Sequence, residues 1–282
     1  MPNTRSIWEH PDMDGNWQAL AREASSAAEH LAFGVTALGR ANYAQTAYYT
    51  QAFFALSIGF ERCGKLALVV DHALEHGGEF PSARELRDYG HRLDKLLSLT
   101  EQIGTKRQAG EVCPSTAIHQ AIIEILSNFA TNVTRYYNLE FIAGDAAAEG
   151  DPIATWYQRV TTPILDLHYK DRHRRRHETN AQFGELLLGD VALVRHHSET
   201  GENITTIYDG ALQAAQTEFA KPWERMYVLQ IVRFVGSVLG QLGFLAQVNK
   251  VPSIPYFSEM FAMFNNADTY LRARKTWSIY KP

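Results

Sequence analysis

Apolar residues recur every three or four positions along most of this 282-residue chain, the period of helices that each bury one stripe. Across 16–38, Leu20, Ala24, Ala27, Leu31, Val35 and Leu38 form such a stripe, with Gly39 placed to cap it. A longer helix is predicted over 42–76, where Tyr48, Tyr49, Phe53, Leu56, Phe60, Cys63, Leu66, Val70 and Leu74 mark a wide apolar face that should sit centrally. The "HGG" at 76–78 supplies glycines for the turn that stops it. Ser82 with Glu85 has the spacing of a capping box, and a helix over 91–104 follows. The next is predicted over 114–142, with Pro114 in its first turn and Ile118, Ile122, Ile125, Phe129, Val133, Tyr137 and Phe141 on one face.

The small, acidic stretch "AGDAAAEGDP" (143–152) is the clearest boundary, dividing 1–143 from a C-terminal helical region, 152–282, packed on it or continuous with it. Beyond it, Trp156, Val160 and Ile164 step helically, and Pro163 should kink or restart the helix. Residues 190–208 read either as a hairpin around "ETGE" or as helix; Phe183, Leu186, Leu187, Val191 and Val194 fit the helical spacing better. Further helices are predicted over 222–248 and 256–273. The expected fold is all-α: a multi-helix bundle of about eight or nine helices with little or no sheet.

Composition narrows the function classes. Net charge is −4, so nucleic-acid contact would need a local basic patch. The cysteines, Cys63 and Cys113, are two and far apart, which excludes a disulfide framework or a cysteine-rich zinc site and suits a reducing compartment. The polar amino terminus is unlike a signal peptide, and no apolar run approaches the roughly 20 residues of a spanning helix. A soluble, cytoplasmic protein without a membrane partner is expected.

Two short elements in the first half carry a resemblance. "QTAYYTQAFFALSIGFERCGKLALVVDHAL" ends in Glu61-Arg62-Cys63-Gly64-Lys65, and "YGHRLDKLLSL" follows with His91, Leu93 and Leu96. Together with "NFATNVTRYYNLEF", they resemble the HEPN superfamily of helical bundles, near its abortive-infection-type (AbiV-like) members, over about residues 20–143. The resemblance implies a helical bundle, a homodimer and a nucleic-acid-related or defence-type role. Many members are ribonucleases whose element is Arg, a polar residue, a short spacer and His. Here Arg135 is followed by Tyr136 and no histidine within reach, a departure that weighs against catalysis there and leaves Arg135 as a surface side chain or an ion-pair partner of Glu61.

The remaining chemistry lies in "KDRHRRRHETN" (170–180), where four arginines and two histidines fill positions 172–177. On a helix Arg172, Arg175 and Arg176 share one face, with His173 and His177 on the adjacent one. Guanidiniums without interleaved acids repel one another, so Lys170, Arg172, His173, Arg174, Arg175 and Arg176 form a candidate phosphate-binding patch for RNA or another anionic ligand. Arg172 and His177 also have the Arg-x4-His spacing of a metal-independent ribonuclease, a spacing that a run of arginine and histidine produces almost automatically. A purely structural interaction protein is the third reading.

No metal or cofactor is expected: His173 and His177 lack a third ligand and sit among cations, and "HALEH" (72–76) falls where a helix end favours histidine. His196 and His197 read as surface. Tyr48, Tyr49, Phe53, Phe54 and Phe60 read as core, and Trp277 and Tyr280 as a tail docked on the bundle or a second subunit.

Overall fold

The computed structural model describes residues 14–131, 134–144 and 150–278. Residues 1–13, Val133, 145–149 of the expected boundary and Tyr280 fall outside that set. The fold is all-α, with one two-stranded hairpin among the described residues.

Helix α1 (Gly15–Leu38) starts where the Asp14 carboxylate accepts the Asn16 N–H, and buries the predicted stripe. Gly39 follows it in a right-handed conformation, so it is not a left-handed cap. A Cβ there would run into the Arg225 guanidinium, and close approach is the reason for glycine. Helix α2 (Ala47–Glu75) lies against α1 through a reciprocal fit. A Cβ on Gly59 would lie 2.7 Å from Leu31 Cγ, and one on Gly34 would lie 2.7 Å from Leu56 Cγ. Residues 42–46 form turns, so α2 begins later than the periodicity suggested. Gly77 and Gly78 end it at φ +64° and +100°.

The capping box opens α3 (Ala83–Asp88), and α4 (Leu93–Lys106) packs beside α2. The helix predicted over 114–142 is broken in two. Helix α5 (Ala117–Ala130) starts after Thr116, leaving Pro114 upstream, and α6 (Tyr137–Ile142) resumes after a turn. Asp151 caps α7 (Pro152–Trp156), which runs through a π-helical turn, Tyr157–Thr161, into α8 (Thr162–His168). Pro163 in the first turn of α8 has no N–H for the regular ladder, and the wider turn just upstream absorbs the mismatch.

Helix α9 (Asp171–Leu188) leads to β1 (His196–His197) and β2 (Asn203–Ile204), paired antiparallel. The helical spacing therefore holds to Leu188, while "ETGE" is a hairpin after all: Gly201 takes φ +84° and Ser198 closes the turn. Helix α10 (Ile207–Val248) begins fifteen residues before the predicted start and carries Pro222 in its interior. The last predicted helix is divided into α11 (Ser258–Phe261), a 3-10 turn (Ala262–Phe264) and α12 (Asp268–Ala273).

Helices α2 and α10 form the centre, and α10 also touches α1, α4, α5, α8, α9, α11 and α12. A helix with that many neighbours buries residues around most of its circumference, from Val228 and Leu229 to Leu242 and Ala246. Its most apolar window has the length and hydropathy to cross a bilayer, yet 61 % of it is buried inside the protein, as in a core helix. Residues from both halves join one hydrophobic cluster: Leu31, Phe53 and Phe129 with Trp156, Val238, Phe261 and Trp277. The tail docks on the bundle, with the Trp277 N–H donating to Thr36 Oγ1 at 2.9 Å and its ring stacked on Phe264.

Candidate anion-binding surface

Helix α9 lies antiparallel along the first third of α10. Its inward stripe is His173, His177, Ala181 and Gly184, positions three or four apart. Ala181 is buried, and a Cβ on Gly184 would lie 3.3 Å from Ile207 Cγ2. His173 and Tyr169 pack on the Phe219 ring, with centroids 4.9 and 5.0 Å from it. The Glu185 carboxylate accepts the Tyr208 N–H at 2.8 Å and helps fix the register.

Turning those groups inward turns Arg172, Arg175 and Arg176 outward, with Arg174 on the other flank. All four are exposed, as is Lys170 ahead of the helix. Among the described residues no carboxylate lies within ion-pair distance of any of the four guanidiniums, whereas Arg62, Arg92, Arg107, Arg159 and Arg233 each have an acidic partner. Lys170 donates to the Leu167 carbonyl at 3.0 Å. Arg172 Nε approaches His173 Nε2 at 3.4 Å. Asp171 and Glu178 flank the row without joining it.

The two histidines are thus set apart from the arginines. His177 Nδ1 shares a 2.8 Å hydrogen bond with the Tyr169 hydroxyl. Burial first, then the charges of Arg176 and His173, lower its pKa and favour the neutral ring. His173 Nδ1 is buried without a partner. On the adjoining surface His168 stacks on Trp223 at 3.5 Å, and Arg272 lies over that indole at 4.2 Å. Burial and the nearby Lys170 and Arg272 lower the His168 pKa. Tyr169, Phe219 and Trp223 position this surface, and sequence reading missed them because their spacing looks like ordinary core.

The residues that carry the resemblance also meet in space. Glu61 Oε1 accepts from Lys65 Nζ and pairs with His91 Nδ1, both at 2.8 Å, beside a cavity of about 590 Å³. Glu61 is therefore not the partner of Arg135. That guanidinium lies over the Phe54 and Phe129 rings, 4.6 and 5.6 Å from their centroids, and donates to the Ala130 carbonyl. A larger cavity of about 630 Å³ lies between α4 and α5. Several of its charged side chains are already engaged: Asp94 accepts from Arg92 and Ser127, and Glu124 from Arg159.

A buried polar cluster without any sequence signal joins the β-hairpin to the core. Glu199, on the hairpin turn and 2 % exposed, accepts from Gln213 Nε2 at 2.6 Å and Thr217 Oγ1 at 3.0 Å. Glu224, 1 % exposed, accepts from Thr161 Oγ1 on the π-helical turn, with the Trp156 side chain also within its reach. Burial pushes the Glu224 carboxyl up to about 7, and the charge of Glu199 adds to the effect.

No group of three or more metal-ligating side chains with the geometry to hold an ion occurs among the described residues. His72 and His76 stack on each other, and His196 and His197 are exposed. Comparison with family models, curated proteins and solved structures gives no match to this chain.

Proposed function

We propose that this protein is a helical binding module whose α9 holds the phosphate groups of an anionic ligand. The observation that carries the reading is the row of Arg172, Arg174, Arg175 and Arg176, exposed on one rigid helix with no carboxylate of the described residues in reach. Four guanidiniums within five residues raise one another's electrostatic free energy, and an anion relieves it. Lys170 and Arg272 extend the positive surface, and the His168–Trp223 stack beside it offers a flat aromatic face. The HEPN-like elements extend the proposal to a homodimer acting in a nucleic-acid-related or defence-type process.

The ribonuclease alternative has less support. Its histidine, His177, is held by Tyr169 and turned toward α10, while Arg172 is on the outward face. A purely structural role leaves the unpaired arginines without a reason.

Titration of a single-stranded RNA oligomer at several salt concentrations tests the proposal. Affinity should fall steeply with salt, and Arg175→Ala/Arg176→Ala should reduce the slope of log K against log salt by about 1.4, at about 0.7 per single-strand phosphate. If neither RNA, heparin nor anionic vesicles bind at low salt, the module reading is lost.

A further inference from the structure

The outward stripe of α9 changes character along its length. Arg172, Arg175 and Arg176 occupy the first half, Thr179 the middle, and Phe183, Leu186 and Leu187 the second half, all in one line at helical spacing. These apolar side chains stand in the open: Phe183 is 62 % exposed, Leu186 82 % and Leu187 59 %. Just beyond the helix along the chain, Val191 and Leu193 are exposed as well, 80 % and 81 %. Arg195, His196 and His197 follow, also exposed. An apolar corner is therefore bounded along the chain by cations on both sides.

An apolar patch of this kind marks a docking surface, and the charge pattern selects the occupant. A nucleic-acid backbone satisfies the guanidiniums and leaves the leucines in water. A second copy paired through this stripe sets arginine against leucine when the two helices run antiparallel, and arginine against arginine when they run parallel. A bilayer with anionic headgroups meets both halves at once, offering phosphate and carboxylate oxygens at its surface and hydrocarbon just beneath.

We infer that α9 docks by its C-terminal corner on an anionic lipid surface. Leu186, Leu187, Val191 and Leu193 enter the boundary of the acyl layer, while Arg172, Arg175, Arg176 and Arg195 lie among the headgroups. The inference rests on the phosphate-binding reading of the same row and names the source of the phosphate. Arg176 and Leu187 are roughly 16 Å apart along the helix axis, so an oblique α9 reaches both layers. Asp190, an exposed carboxylate inside the corner, limits the depth of entry, because it must stay in the hydrated headgroup zone. This contact uses no spanning helix: the one apolar window among the described residues long enough to span, in α10, is 61 % buried inside the protein.

Co-sedimentation with vesicles tests it. The full chain should bind vesicles of equal parts phosphatidylcholine and phosphatidylserine and leave pure phosphatidylcholine in the supernatant. Arg175→Ala/Arg176→Ala should weaken the partition roughly 25-fold, at about fivefold per cation. Leu186→Ser/Leu187→Ser should weaken it at least tenfold while leaving heparin binding unchanged, and Asp190→Asn should strengthen it. The leucines are exposed, so the variants keep the core, and unchanged circular dichroism checks this. Heparin or RNA binding without vesicle binding overturns the lipid assignment and leaves the anion-binding module standing. A dimer seen by light scattering and broken by the leucine substitutions, again without vesicle binding, assigns the corner to self-association and likewise overturns it.

Discussion

The Tyr169 hydroxyl and His177 Nδ1 lie 2.8 Å apart, and this contact fixes which way the Arg/His run faces. It holds the histidine side of α9 against Phe219 of α10, which leaves Arg172, Arg175 and Arg176 on the opposite side. His177→Ala should therefore act on stability. The expected loss is about 1–2 kcal/mol in urea unfolding, from a hydrogen bond and partial packing. Anion binding should stay within twofold of the parent. Loss of an RNA-cleaving activity with binding intact would restore the catalytic role of His177.

His119, His168 and His177 all have pKa values lowered from 6.5, each by burial first. A histidine with a depressed folded-state pKa binds fewer protons folded than unfolded. Its stability contribution is complete above pH 6.5 and is lost as pH falls from there through the folded value. His119 is the most buried of the three and bonds Thr116 and Gln230. The difference in unfolding free energy between the parent and His119→Gln should shrink as pH drops from 7.5 to 5.5, roughly one unit on either side of the 6.5 reference value. A pH-independent difference would count against the burial argument.

Glu224 acts in the opposite direction. Its folded-state pKa, about 7, lies above the unfolded 4.5, so the folded protein binds the extra proton. This group's contribution is fully present below pH 4.5 and declines as pH rises through 7. Glu224→Gln keeps an acceptor for Thr161 and removes the buried charge. It should stabilise the protein at pH 8, on the order of 3 kcal/mol for a carboxyl raised from 4.5 to about 7, and change little near pH 5. Denaturant midpoints at the two pH values give the answer.

Gly59→Ala should destabilise through overpacking, because the added methyl would meet Leu31 at 2.7 Å across the α1–α2 contact. A cost of about 1–3 kcal/mol is expected. Leu31→Ala in the same chain should recover part of it, and a double-mutant cycle would show the coupling. Strict additivity would mean that the two helices do not meet there.

Trp277→Ala should cost about 3–5 kcal/mol, as for a large buried aromatic. The residue lies 3 % exposed against Phe264 and holds Thr36 from a segment with no regular structure of its own. Thermal unfolding followed by circular dichroism measures the loss, and a negligible shift would separate the tail from the core.

The chain by itself determined the helices and most of their buried faces. Local spacing carries that information: Leu20 to Leu38, Tyr49 to Val70 and the Ser82–Glu85 cap are read within a few turns of chain. Helix ends and breaks were less legible, because the interruption after Ala130, the π-helical turn before Pro163 and the passage of α10 through Pro222 depend on what each segment packs against. The Arg/His run was visible as a run, but its direction was not. Periodicity places arginines and histidines on adjacent faces, and only the packing of Tyr169 and Phe219 decides which face is covered. Tertiary structure alone also buried Glu199 within electrostatic reach of Glu224 and set Phe183, Leu186 and Leu187 in the open, although their helical spacing reads as core. Burial is a property of neighbours distant in sequence, and a repeat of three or four residues fixes a stripe without saying whether anything lies over it.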